Sequence, residues 1–157
     1  MNRIRRATES DIEGILHLLL QVDLVHHNGR PDLFKGPATK YGTKELQEII
    51  RQEETPVFVC VDEENNVLGH AFCIHKQVKG DRVLTDVRTL YIDDICVEET
   101  RRGEHIGEEL YQAVRSYAKE NGFYNLTLNV WSCNPGAMAF YEKMGLIPQK
   151  VTMDFLL

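Results

Sequence analysis

The sequence predicts an α/β domain built on a mixed, mainly antiparallel sheet. Three observations carry that expectation. Short apolar strand-like runs alternate with segments whose apolar residues recur at helical spacing. Two hairpin signals follow one another in the middle of the chain, which makes the central strands antiparallel. The second half then repeats strand, helix, strand, helix, a pattern that stacks helices on a sheet. With 157 residues and neither a linker nor an internal repeat, the chain suits a single domain over 1–157.

Taken in order, "NRIRRA" alternates and reads as a first strand. Thr8-Glu9-Ser10-Asp11 offers a capping box, its Thr8 hydroxyl placed to accept from the Asp11 amide. Behind it Ile12, Ile15, Leu16, Leu19 and Leu20 form an amphipathic helix, which His26-His27-Asn28-Gly29-Arg30-Pro31 should end. "NGRPDLFKGPATKYG" is a long loop rich in turn formers, and such loops in compact domains tend to be functional. Thr43–Arg51 restarts a helix. "PVFVCV" and "VLGHAFCIHKQV" are strands joined through Glu63-Glu64-Asn65-Asn66, and a second turn at Lys79-Gly80-Asp81 leads to the strand "RTLYIDDICV". Ile106, Leu110, Ala113, Val114 and Tyr117 then make a helix stripe closed by Asn121-Gly122. After the strand "YNLTLNVW", Asn134 as N-cap and Pro135 at the first helical position open another helix, which Met144-Gly145 ends. "IPQKVTMDFLL" reads as a terminal strand.

The composition excludes several classes. A net charge of -6 gives no global attraction to nucleic acid, and no apolar run is long enough to span a bilayer. The N-terminus lacks a signal-peptide core, so a cytoplasmic location is expected. The four cysteines contain no C-x-x-C pair and read as small buried hydrophobes, with neither a metal nor a redox motif.

The chemistry concentrates at "RRGEHIG", residues 101–107, between a strand and a helix. Amides at a helix start lack intrahelical partners, and the helix dipole favours anions there. Gly103 and Gly107 permit close backbone approach, and Arg102 adds a charged donor. The loop is neither a Walker A motif nor a full G-x-G-x-x-G fingerprint, and alone it is equally a plain helix entrance.

Its surroundings sharpen the reading. Ile95-Cys96-Val97 ends a strand before Arg102-to-Gly107, followed by Asn134 with Ala137, then Phe140-Tyr141 with Gly145-Leu146. This order resembles the GNAT superfamily of acyl-CoA-dependent N-acetyltransferases, closely over roughly the last 75 residues. The resemblance implies a GNAT-like three-layer domain with helices on both faces of the sheet, and acetyl-CoA as co-substrate. It implies that amides of Arg102, Gly103, Glu104, His105, Ile106 and Gly107 hold the pyrophosphate. The backbone of Ile95, Cys96 and Val97 would pair with pantetheine, and Asn134, in the motif shared with Ala137, would contact that arm. Tyr141 would protonate the leaving thiolate, consistent with what acyl transfer requires.

Two departures stand out. His105 replaces the loop's middle glycine, which is compatible with phosphate binding if its backbone avoids a conformation that requires glycine. Asn129 stands where ribosomal-protein N-terminal acetyltransferases of the superfamily tend to carry glutamate, so a protein N-terminus is not the expected substrate.

An amine substrate needs a base, and Asp93 or Asp94 is the candidate. Strand alternation sends the two to opposite faces, and a bulge would change that assignment. His70 and His75 are weaker candidates. His26, His27, Arg30 and Tyr41, in or beside the long loop, are candidates for selecting the acceptor, a small-molecule or peptide amine. A homodimer is the default expectation for such a fold. The rival to an enzyme is a non-catalytic acyl-CoA-binding sensor.

Overall fold

A computed structural model describes all residues, Met1–Leu157. Its strands are β1 (Arg3–Arg6), β2 (Val57–Val61), β3 (Val67–Gln77), β4 (Arg88–Val97) and β5 (Asn125–Leu128). Its helices are α1 (Ile12–Gly29), α2 (Thr43–Arg51), α3 (Ile106–Glu120) and α4 (Pro135–Lys143). The sheet order is β1-β2-β3-β4-β5, with antiparallel pairing from β1 through β4 and a parallel β4–β5 pair. The mixed, mostly antiparallel α/β sheet expected from the sequence is therefore present.

Strand alternation divides the core in two. From β2, Phe58 and Cys60 join Leu90, Ile92, Ile106, Leu110 and Val114 between the sheet and α3. Val57, Val59 and Val61 point the other way and pack with Ile15, Leu19, Leu46 and Phe72 under α1 and α2. Because both faces are covered, every residue of β2 is buried. Phe140 of α4 and Met144, just after it, lie against the α3-side cluster. No helix is long and apolar enough to cross a membrane.

Two irregularities in the ladders position the site. In the β3–β4 register Phe72 faces Asp94 while the next residue, Cys73, faces Ile92, so Asp93 is an extra residue on β4. The side-chain pattern shows the consequence. Leu90 and Ile92 belong to the α3-side core, and so do Ile95 and Val97, although simple alternation would put those pairs on opposite faces. The second irregularity is the short β4–β5 ladder, which ends at Ile92↔Leu128, whereas β4 stays paired with β3 through Val97. From Asp93 to Val97 one edge of β4 has no strand partner.

The α1 helix ends within His26–Pro31 as expected, at Gly29, with Arg30 donating its amide to the His26 carbonyl. Two sequence expectations are corrected. In the capping box the Asp11 amide donates to the Thr8 carbonyl at 3.0 Å rather than to its hydroxyl. The reciprocal bond is present, from the Thr8 amide to Asp11 Oδ2 at 2.8 Å, and Arg5 pairs with the same carboxylate. Finally, residues 147–157 form no strand. Val151, Met153, Phe155 and Leu157 keep a strand's alternation but pair with nothing in this chain, and each is at least 73% exposed. The segment is tied instead by Asp154 to Arg30 at the end of α1.

At Gly69 on β3 a Cβ would lie 2.9 Å from Leu110 Cδ1, 3.0 Å from the Cys96 carbonyl and 3.1 Å from Ile106 Cγ2. This contact sets how closely α3 rests on the sheet. Gly69→Ala should lower stability by about 1–3 kcal/mol despite the gain expected from a stiffer unfolded chain. A urea titration followed by circular dichroism measures it.

Candidate active site

The site forms where β4 and β5 part. Along the unpaired edge of β4 lie Asp93, Asp94, Ile95, Cys96 and Val97, and the loop after β4 leads into α3. In that loop the amides of Arg102, Gly103, Glu104, His105, Ile106 and Gly107 donate to no protein acceptor. A run of free amides at a helix start, with the dipole's positive end behind it, is a cradle for an anion. Arg102 is exposed and forms no ion pair, so its guanidinium is free to join them, whereas Arg101 is held by Glu104.

Two residues bend this loop. Gly103 has φ +88° and open space where a side chain would stand. His105, the N-cap of α3, has φ 62° and ψ 17°, the left-handed region. The condition set on His105 is thus not met: its backbone adopts a glycine-like conformation, at a cost of about 1–2 kcal/mol for a typical non-glycine residue, while its amide donates to no protein acceptor. Histidine tolerates that region better than most residues. Its side chain is 72% exposed and lies 3.3 Å from Glu108 Oε2. A Cβ on Gly107 would be 3.5 Å from Phe140 and Val97, ordinary contact, so this glycine faces α4 and β4.

The Asp93 bulge brings two carboxylates to the α1/α2 side in different environments. Asp93 Oδ1 accepts from Lys40 Nζ and Oδ2 from the Tyr41 hydroxyl, each at 2.7 Å, and its side chain is 8% exposed. Burial, together with that bond to Asp93, pushes the Tyr41 hydroxyl well above its ordinary range. Asp94 has one partner, His70 Nε2 at 2.9 Å, and its side chain is 17% exposed. Both tethers border Phe72, whose ring lies 5.6 Å from Tyr41 and 4.8 Å from His70. The opposite-faces expectation fails here because the bulge absorbs one residue of alternation.

Tyr141 on α4 completes the group. Burial, with the nearby Asp94 charge, pushes its hydroxyl well above the ordinary tyrosine range, so it stays protonated. The hydroxyl has no protein hydrogen-bond partner. Asn134 caps α4 by accepting from the Ala137 amide at 3.3 Å, leaving its amide nitrogen available. The Cys96 thiol is buried, donates to the Leu18 carbonyl at 3.4 Å, and is pushed up by burial to about 12.

The long loop between α1 and α2 spans the gap. Phe34 packs its ring 4.9 Å from His26 and 4.9 Å from Trp131, just beyond β5, while Lys40 and Tyr41 fasten the other end to Asp93 on β4. Burial holds the His26 imidazole below its usual range. His27 Nδ1 bonds the Phe34 carbonyl at 2.7 Å, and Arg30 pairs with Asp32 and Asp154, so these two hold the loop in place. Sequence reasoning did not single out Lys40, because a lone lysine in a polar loop carries no local signal. His70 reads as a weak candidate in the sequence because no local spacing pairs it with Asp94, 24 residues away.

Fold and site together define an acyltransferase domain of the α/β class. More particularly, the chain belongs to the acetyltransferase (GNAT) family, whose pattern it matches over residues 25–146. Over 99% of both chains it is similar to a point mutant of the BH1408 protein from Bacillus halodurans, at 33% identity and a TM-score of 0.95. Over 66 residues it is 29% identical to glucosamine 6-phosphate N-acetyltransferase 1 of Oryza sativa subsp. japonica, covering 42% of this chain and 38% of that enzyme. An aminoglycoside acetyltransferase from an uncultured soil metagenomic sample, in complex with sisomicin, shares the fold at 20% identity and a TM-score of 0.73. That alignment covers 99% of this chain and 96% of that one.

Two predictions follow from the geometry. Replacing His105 by valine, β-branched and ill suited to positive φ, should cost about 1–2 kcal/mol, whereas His105→Gly should be near neutral, which denaturant melts will distinguish. Burial also raises Cys60 to about 11 and Cys73 to about 12, as it does Cys96, from an ordinary 9.0. Only the unfolded chain ionises these thiols readily, so their contribution is complete below pH 9.0 and is lost as pH rises toward 12. Urea midpoints across that range should fall less steeply in Cys96→Ala than in the parent protein.

Proposed function

We propose that the protein is an N-acetyltransferase that moves an acetyl group from acetyl-CoA to a primary amine by direct attack on the thioester. The observation that carries this reading is the run of six unbonded amides from Arg102 to Gly107 beside the unpaired edge of β4. The amides and Arg102 suit a pyrophosphate. The open edge suits an extended amide-bearing arm, which can add to it as a further strand would. Asn134 has a free amide donor for the same arm.

Between the two carboxylates, Asp94 is the proposed base. Asp93 is neutralised by Lys40 and capped by Tyr41, while Asp94 keeps one oxygen without a protein partner. Asp94 takes a proton from the ammonium, directly or through water, and passes it to solvent. The amine nitrogen then bonds to the thioester carbonyl carbon and gives up its second proton to water, the carbon–sulfur bond breaks, and Tyr141 donates its proton to the departing sulfur and is reprotonated from solvent. A backbone amide near Ile95 polarises the carbonyl oxygen. The high position of the Cys96 thiol supports one-step transfer over an acyl-cysteine intermediate.

The acceptor lies under the α1–α2 loop in this reading, bounded by His26, Tyr41 and Trp131. Relatives named for amino-sugar and aminoglycoside acetylation support an amine-bearing small molecule, and work on acetyl-CoA supports a cytoplasmic setting.

The test is acetyl-CoA with a panel of glucosamine 6-phosphate, sisomicin, spermidine and a lysine peptide, following thiol release. Amine-dependent release is expected for at least one; CoA binding without any release would make the protein an acyl-CoA sensor instead. Tyr141→Phe should cut turnover about 10²-fold or more with CoA affinity nearly unchanged. Gly103→Asp should weaken CoA binding at least tenfold by calorimetry, because a carboxylate then faces the pyrophosphate.

A further inference from the structure

We propose that His70 is a positioning residue for the reaction: its imidazole holds Asp94 in the orientation that aims the unpartnered carboxylate oxygen at the incoming amine. The inference rests on the reading of Asp94 as base.

His70 lies in the middle of β3, opposite Cys96 on β4, and is 0% exposed. Nε2 is 2.9 Å from Asp94 Oδ2, and Nδ1 is buried with no hydrogen-bond partner. A fully buried ring with one orphaned nitrogen is unusual, since buried polar atoms are nearly always bonded. A core histidine kept only for stability would be expected to satisfy both nitrogens or give way to an apolar residue. Here the site tolerates the orphan while preserving the single bond to the carboxylate.

The orphan also assigns the tautomer. A proton on Nδ1 would be buried with nothing to receive it, so the ring proton resides on Nε2 and is donated to Asp94 Oδ2. The ring plane is set by the Phe72 ring, 4.8 Å away at 69°. Asp94 accepts no other protein hydrogen bond, so this contact alone orients its carboxyl plane. Asp93, next to it, is held by a lysine ammonium and a tyrosine hydroxyl instead. The bulge thus places two acids side by side, one balanced by a cation and the other held by an imidazole donor that occupies only one oxygen.

The experiment compares His70→Leu, His70→Gln and Asp94→Asn by steady-state kinetics with acetyl-CoA and the amine turned over in the panel above. It is joined by nitrogen-15 NMR of the histidine rings. His70→Leu should lower kcat about 10- to 100-fold with little change in KM for acetyl-CoA. His70→Gln, whose amide nitrogen falls near the Nε2 position, should recover most of that loss. In an Asp94→Asn background His70→Leu should cost nothing further, because a positioning residue has no effect once its target is removed. A loss that persists in that background, or full kcat in a folded His70→Leu protein, overturns the proposal. If Asp94→Asn itself leaves kcat unchanged, it is the assignment of the base that fails. NMR needs no substrate: the Nε2–H tautomer is expected, and an Nδ1–H ring overturns the proposal outright.

Discussion

One inserted residue organises the site. By taking Asp93 out of the β3–β4 register, the sheet changes which face each later residue of β4 presents. Before the bulge, Leu90 and Ile92 pack under α3; after it, Ile95 and Val97 do so, and Asp94 with Cys96 turns toward α1. Without the slip, Ile95 and Val97 would face α1, and Asp94 would be driven into an apolar core beneath α3. The bulge therefore reconciles a buried strand with an acid at its centre. It does so where pairing to β5 ends, so the acid borders an opening.

That opening is kept by side chains that bridge it. β4 and β5 share only the ladder from Thr89↔Asn125 to Ile92↔Leu128. Beyond it, the α1–α2 loop reaches from Asp93 on one side, through Lys40 and Tyr41, to Trp131 on the other, through Phe34. An ion pair to the buried Asp93 carboxylate at one end and an aromatic contact at the other give the loop a defined course without regular structure. Arg30 extends the arrangement to the C-terminal segment through Asp154. The crossing of the gap is thus assembled from parts far apart in sequence, while the run of free amides lies in a single short loop.

Legibility followed that difference. The glycines, Arg102 and the helix stripe after residue 105 could be read locally, because a helix start orphans its amides in any sequence. Asn134 and Pro135 likewise announced their helix, and the cap bond to Ala137 is present. His105 was legible as a departure but not as a left-handed residue, since φ depends on how the loop closes between β4 and α3. Asp93 and Asp94 were legible as candidates, yet alternation assigned them to opposite faces. His70 was visible only as a lone strand histidine, because its partner stands 24 residues away. The terminal segment misled for a related reason: alternation signals a strand, but it does not supply a pairing partner, and residues 147–157 pair with no strand of the sheet.

What the sequence by itself determined is the order of helices and strands up to α4, the family, and the loop of free amides before α3, all of which rest on local periodicity, capping and short spacing. Tertiary structure alone decided which carboxylate is neutralised and which stays available, where β4 and β5 part, and how the α1–α2 loop crosses the gap. These depend on ladder register and on contacts between distant residues. A single-residue slip leaves composition and periodicity almost untouched while reversing the direction of every side chain beyond it.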